Sequence, residues 1–266
     1  MSKKIDVKQE AWDFFLYSYF GIFSEGEHDD EKKFKCAQRA YLDLNRTLKF
    51  NEGLKKDSSR NKAIKDEFVK RLSAFIVKEL ESFPEKTELA EIIKKTHDAM
   101  MKMKFVYDEG NENVLLGGET YFGQAQKWVN MTIKYMWLIG LWDDDMPMDV
   151  PVDSYIMEAA AGRTYGDERD HDGENISLPC KGGKKNEPYS EGRKNSPKVW
   201  SKWDKPEYKE FQEELKKELE KKGEKSIFEW ENREWIHIAK LRTSRTICKI
   251  DEVDKKFYEI NVKTKE

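Results

Sequence analysis

The sequence is poor in the residues that mark disulfide-stabilised and metal-binding proteins. It has 3 cysteines, Cys36, Cys180 and Cys248, and 4 histidines in 266 residues. The cysteines are odd in number and far apart, so the sequence predicts neither a disulfide framework nor a cysteine-based metal site. We therefore expect no metal and no cofactor. This use of cysteine is typical of a reducing compartment, and we expect a cytoplasmic protein.

A long uninterrupted apolar run is also missing. The first ten residues contain no apolar signal-type region, and the most apolar stretch, Trp128–Trp142, is interrupted by Asn130 and Lys134. A membrane-spanning helix needs roughly 18 consecutive apolar residues, which this stretch does not reach. The stretch is therefore predicted to be a buried core helix, and we expect no membrane partner.

An excess of one charge is absent as well. The chain carries 49 Lys and Arg against 52 Asp and Glu, which gives a net charge of −3. The overall charge therefore predicts no polyanionic partner, and any contact with nucleic acid requires a local basic patch. Aromatic residues are abundant, at 12% with 8 Trp, and they provide ample material for a hydrophobic core.

Apolar residues at helical spacing dominate what is present. They predict helices over residues 8–23, 31–50, 61–82, 87–106 and 125–142, and another helix beginning at Asp153. Pro206 suits the first turn of a helix ending near Gly223, and Ser226 with Glu229 forms a capping-box pattern. Alternating apolar residues near the end predict a short C-terminal β-hairpin. The predicted fold is mainly α, with residues 1–266 forming a single helical domain or two helical lobes around a cleft.

Residues 162–205 differ from the rest of the chain because they are rich in glycine and proline and lack periodicity. We interpret them as a loop-rich basic insertion. Two interpretations stay open: a solvated or disordered insertion, or a contact with the DNA backbone. The second would use the basic residues of its second half, chiefly Lys184, Lys185, Arg193 and Lys194.

Two residues with potential chemistry flank the apolar helix. Lys127 is predicted to open this helix after a glycine-containing turn, and Asp153 to begin the next helix. A helix N-terminus and apolar surroundings both disfavour positive charge, so a lysine there favours the neutral, nucleophilic amine. The connection Asp143–Val152 can extend over about 30 Å, enough to return along the bundle and bring both residues to one cleft.

The segment from Leu115 to Ala161 resembles the catalytic region of the helix-hairpin-helix DNA glycosylases. The pattern is most similar to archaeal 8-oxoguanine DNA glycosylases and bacterial anti-phage DNA glycosylases. Lys127 matches the family's lysine, with Lys134 as a second candidate, and Pro151-Val152-Asp153 matches its Pro-Val-Asp. The hairpin equivalent, Gly117–Gly123, lacks the usual proline, and the four-cysteine iron–sulfur motif of some relatives is absent.

The resemblance implies a helical bundle of the glycosylase type and a DNA glycosylase activity. Such an enzyme flips a modified base out of duplex DNA and cleaves its N-glycosidic bond, in base-excision repair or in defence against phages with hypermodified bases. Asp153 would stabilise the positively charged sugar, and Lys127 would act as the nucleophile. Gly118 and Gly123 would contact the DNA backbone, and Trp128 would form a wall of the base pocket.

Plainer interpretations of the same residues stay open. Asp153 is also an ordinary helix N-cap, Lys127 is also a solvated lysine at a helix end, and Trp128 is also a core residue. The chain as a whole has two alternatives to an enzyme. It would be a non-catalytic helical nucleic-acid-binding protein, or an all-α interaction protein unrelated to the glycosylases.

Overall fold

The computed structural model describes residues 7–23, 26–55, 58–84, 87–106, 112–160, 199–240 and 243. The predicted fold class is confirmed at the level of a mainly helical protein, with a single two-stranded sheet in the described residues. The chain divides into two compact units. The first comprises Met1–Asp153 and Val199–Glu213, and the second comprises Ser154–Lys198 and Glu214–Glu266.

The first unit is built around five helices. They are α1 (Val7–Phe20), α2 (Asp29–Tyr41), α3 (Ser59–Leu80), α4 (Leu89–Lys102) and α5 (Phe122–Leu138). Helix α5 packs against both α2 and α4, and α3 packs against the same two helices. Every residue of α5 from Phe122 to Met136 is buried except Lys134, which is partly exposed. The predicted core helix is thus confirmed as the centre of this unit.

Local sequence signals explain several helix boundaries. The Ser58 hydroxyl accepts a hydrogen bond from the Asn61 backbone amide at 3.1 Å, which caps the start of α3. The helix predicted over residues 31–50 ends earlier, at Tyr41. Leu44 and Leu48 still reach the core, from positions directly before and after a short 3-10 helix over Asn45–Thr47. Their apolar spacing correctly indicated burial, while the backbone between them is not α-helical.

The helix predicted over residues 87–106 also ends early, because its last residues form a strand. Strand β1 (Lys104–Val106) pairs antiparallel with β2 (Glu112–Val114), with Phe105 opposite Asn113. Of these six residues only Phe105 is buried, and it anchors the small sheet to the core.

Part of the predicted basic insertion belongs to the core of the first unit. Trp200 and Trp203 are buried, and Trp200–Lys202 form a 3-10 helix that packs against α5. Helix α7 (Lys205–Lys221) follows, as Pro206 predicted, and Gly223 has a φ of 69° just after its end. The residues of α7 from Glu214 onward belong to the second unit.

The second unit contains α6 (Ser154–Ala160) and a helix over residues 227–240, here α8. The Glu229 backbone amide donates to the Ser226 hydroxyl at 3.4 Å, which is one of the two hydrogen bonds of the predicted capping box. The rings of Tyr155 and Trp235 stack with centroids 4.7 Å apart. The predicted C-terminal hairpin lies outside the described residues. In the part of the chain that is described, no helix is both long and apolar enough to cross a bilayer.

Candidate active site at the Lys127–Asp153 pair

A buried extended segment runs from Met148 to the start of α6. Residues 148–152 are all buried, yet none of them lies in a helix or a strand. Buried backbone N–H and C=O groups outside regular structure need hydrogen-bond partners, because unpaired groups cost free energy. The partners of this segment come from side chains of α5 and α7.

Two glutamines pair with alternate residues of the segment. Gln126 Nε2 donates to the Val152 carbonyl at 2.9 Å, and the Val152 amide donates to Gln126 Oε1 at 3.3 Å. Gln212 does the same for Val150, with distances of 2.8 Å to its carbonyl and 3.1 Å from its amide. Each glutamine thus makes the pair of backbone hydrogen bonds that a neighbouring strand would make in a sheet. Together the two side chains fix the position of the segment.

The segment ends at Asp153, whose carboxylate meets the ammonium of Lys127. Lys127 Nζ lies 2.9 Å from Asp153 Oδ2 and also donates to the Pro151 carbonyl at 3.1 Å. The lysine and aspartate side chains are 5% and 17% exposed. The two residues that the sequence singled out are therefore brought together as a largely buried ion pair.

The position of Lys127 in its helix corrects the expectation that it opens α5. The helix begins at Phe122, which makes Lys127 its sixth residue. The electrostatic effect of a helix N-terminus is confined to the first turn, so it does not act on this ammonium. The negative partner and the Pro151 carbonyl compensate the buried charge instead. Lys134, the second candidate for the catalytic lysine, is partly exposed on the same helix.

Behind the pair lies a second polar group centred on Tyr208. Its hydroxyl donates to Asp149 Oδ2 at 2.5 Å and accepts from Asn130 Nδ2 at 3.0 Å. Burial, together with the charge of Asp149, raises the pKa of Tyr208 well above its ordinary value. Tyr208 therefore stays a neutral donor, and this network ties the start of the extended segment to α5 and α7.

Of the two glycines expected to contact DNA, Gly123 has a packing role. Its amide donates to the Trp203 carbonyl at 2.9 Å, and a Cβ added there would overlap the Trp200 carbonyl oxygen. A glycine is required because the 3-10 helix approaches the start of α5 so closely. A Cβ at Gly118 would meet the Lys49 side chain at an ordinary 3.6 Å. DNA contacts of both glycines stay predictions, although the Gly123 amide already has a partner.

Trp128 is a core residue, which corrects its assignment to the wall of a base pocket. It is 0% exposed, and its indole nitrogen donates to the Ala37 carbonyl at 2.8 Å. The ring centroids of Tyr41 and Phe68 lie 5.2 and 5.8 Å from that of Trp128.

The basic residues that were predicted to contact the DNA backbone, Lys184, Lys185, Arg193 and Lys194, lie outside the described residues.

The sequence interpretation missed Gln126, Gln212 and Tyr208, which hold the pair in place. A signal for Gln126 was present, because it and Asn130 stand four residues apart on a helix that is otherwise largely apolar. Polar side chains in a buried helix need partners. The identity of those partners depends on the tertiary fold, so spacing alone could not identify Gln212 or Tyr208.

Comparison of the chain with protein-family models, curated proteins and solved structures found no match. In the described part of the chain, no group of three or more His, Cys, Asp and Glu side chains is arranged to hold a metal ion.

Proposed function

We propose that the protein is a DNA glycosylase and that Lys127 and Asp153 are its catalytic pair. One observation carries the proposal: the 2.9 Å contact between Lys127 Nζ and Asp153 Oδ2. The resemblance to the helix-hairpin-helix glycosylases assigns chemistry to these two positions, 26 residues apart. The contact supports that assignment because the two groups can act together only when they are this close.

The chemistry begins with the sugar of a base flipped out of duplex DNA. The bond between C1′ and the base nitrogen breaks, the electron pair leaves with the base, and the sugar becomes oxocarbenium-like. The Asp153 carboxylate would stabilise this positive charge. The departing base takes up a proton, which Asp153 passes on from the Lys127 ammonium or, in the water-based route, from the attacking water.

Lys127 would supply the nucleophile for the same carbon. At 2.9 Å the Asp153 carboxylate is within proton-transfer distance of the ammonium, and accepting one proton leaves a neutral amine. The amine then forms the Nζ–C1′ bond, the C1′–O4′ bond breaks as a proton passes from Nζ to O4′, and a protonated Schiff base results. If Asp153 instead directs a water molecule to C1′, the base is released without a covalent intermediate.

The substrate we propose is duplex DNA with a modified base, either an oxidised base of the 8-oxoguanine type or a hypermodified phage base. The test measures free bases released from 8-oxoguanine duplexes, oxidised DNA and hypermodified phage DNA by mass spectrometry. The wild type should release a base from one of these substrates. Release from none of them by the folded protein would overturn the proposal.

The variants in this test must separate a catalytic pair from a structural one. Neutralising one partner leaves the other charge buried and destabilises the fold, so single variants alone do not distinguish the two roles. The double variant Lys127→Gln/Asp153→Asn replaces the ion pair with two neutral amides that can still hydrogen-bond. If the pair is catalytic, this variant folds and is inactive. If it retains base release, the pair is structural and the catalytic assignment is wrong.

A further inference from the structure

A groove on the first unit lies between α3 and the end of α4, and β1 continues its edge. Its volume is about 540 Å³, within the range of roughly 300–1,000 Å³ that is typical of small-molecule sites. Four exposed cations line it: Arg60 and Arg71 on α3, Lys102 at the end of α4, and Lys104 at the start of β1. Cations thus stand on both sides of the groove.

The residues that line the groove carry a positive net charge, whereas the whole chain has a net charge of −3. Glu67 is the one acidic residue among the described residues that line the groove, although acidic residues outnumber basic ones overall. It pairs with Arg71 at 2.6 Å, and Lys104 pairs with Glu112 at 3.0 Å. Exposed ion pairs of this kind contribute little, so an incoming anion can compete for both cations. The groove is therefore suited to an anion.

The number of cations favours a phosphate over a carboxylate. A phosphate monoester carries a charge of about −1.5 to −2 at neutral pH, whereas a carboxylate carries one negative charge. A guanidinium group has five N–H donors in a planar fork that matches two phosphate oxygens, so Arg60 and Arg71 have donors beyond the bonds that Arg60 Nη2 makes to the Val106 carbonyl at 3.4 Å and Arg71 Nε makes to Glu67.

The floor of the groove is apolar and fixed to the core. Phe68, Phe105 and Leu115 are buried there, and the Phe68 ring packs edge-on against Trp128 at 5.8 Å. A ligand that fills the groove must therefore join an apolar or aromatic body to its phosphate. Nucleotides combine these two features, because a flat base accompanies each phosphate.

We propose that this groove binds a nucleotide through its phosphate, with the base against the apolar floor. The nucleotide can come from two sources, a free mononucleotide or a unit of a single DNA strand, and both present the same chemistry. This site is separate from the Lys127–Asp153 pair, and the proposal holds whether or not that pair is catalytic.

Binding is tested by calorimetry on the full chain with four probes: deoxyadenosine monophosphate, deoxyadenosine, a short oligothymidylate and dodecanoate. The groove variant is Arg71→Gln/Lys102→Gln. The control variant, Lys62→Gln/Lys78→Gln, removes the same charge from exposed positions on α3 that do not line the groove. Circular dichroism of both variants checks that they remain folded.

If the groove binds free nucleotides, deoxyadenosine monophosphate should bind, and deoxyadenosine should bind at least about tenfold more weakly. The groove variant should then lose about tenfold or more in its affinity for the monophosphate. A strand site predicts that only the oligothymidylate binds, with the same loss. The control variant should bind like the wild type. Binding of neither nucleotide probe, equal loss in both variants, or preference for dodecanoate would overturn the proposal.

Discussion

The side-chain amide of Gln126 binds both backbone polar groups of Val152, donating to the carbonyl at 2.9 Å and accepting from the amide at 3.3 Å. Gln126 immediately precedes Lys127, and Val152 immediately precedes Asp153. The helix and the extended segment are therefore joined one residue before the ion pair. This arrangement makes Gln126 a positioning residue for the carboxylate.

We expect Gln126→Met to destabilise the fold while keeping the volume of the side chain. The substitution leaves the buried amide and carbonyl of Val152 without their partner, and each such group costs about 1–3 kcal/mol. Urea denaturation should show a loss of about 2–4 kcal/mol in the free energy of unfolding. Gln9→Met, on the exposed face of α1, is the control and should change stability little. Equal stabilities of the two variants would contradict the role given to Gln126.

The ion pair itself predicts a pattern of stabilities. Asp153→Asn and Lys127→Gln each remove one charge of this largely buried ion pair and leave the opposite charge in place, so each should lower the free energy of unfolding, by up to about 3–5 kcal/mol. The double variant removes both charges and should be more stable than the sum of the single effects predicts, by about 0.5–3 kcal/mol. Denaturant titrations of the four proteins give this coupling energy. Strict additivity would show that the two side chains do not interact.

The helices were predictable from the sequence because their signals are local. Apolar spacing identified α1 to α5, and Pro206, Gly223 and Ser226 marked boundaries around the later helices. The sheet was missed because β1 and β2 have three residues each, too few for an alternating pattern. Strand β1 also begins two residues after the end of the amphipathic helix α4, so its residues were assigned to that helix.

The candidate site was predictable only in part. Lys127 and Asp153 could be chosen from spacing and from the family resemblance, and the structure brings them into contact. The depth of Lys127 within α5 was not predictable, because helix boundaries are the least reliable part of a sequence interpretation. The environment of Trp128 depends on Ala37, Tyr41 and Phe68, which come from distant parts of the chain.

Replacing Gly123 distinguishes packing from DNA contact. Gly123→Ala places a methyl group on the Trp200 carbonyl oxygen, and we expect a loss of about 1–3 kcal/mol or more in the free energy of unfolding. Gly118→Ala meets only ordinary contacts and should stay within about 0.5 kcal/mol of the wild type. Thermal and denaturant unfolding give both values. A Gly123→Ala protein of normal stability that binds DNA poorly would contradict the packing role.

The thiol of Cys36 should be unreactive in the folded protein. Cys36 is fully buried, and burial raises the pKa of its thiol to about 12, so little thiolate exists near neutral pH. A Cys180→Ser/Cys248→Ser variant makes Cys36 the single thiol of the chain. The reaction of this thiol with a chromogenic disulfide should then be slow in buffer. In guanidinium, which unfolds the protein, it should release one equivalent of chromophore per chain. Rapid reaction in buffer would contradict the burial of Cys36.

The predicted DNA contact of the basic insertion can be tested through salt dependence. If Lys184, Lys185, Arg193 and Lys194 contact phosphates, reversing their charges should weaken binding to duplexes of every sequence. Each phosphate contact that is lost should reduce the slope of log affinity against log salt concentration by about 0.9, because fewer counterions are released on binding. The control reverses four exposed lysines elsewhere, Lys62, Lys78, Lys217 and Lys225, and so produces the same net charge. Fluorescence anisotropy at several salt concentrations should show a flatter slope for the insertion variant alone. Equal slopes in the two variants would mean that the insertion acts only through net charge.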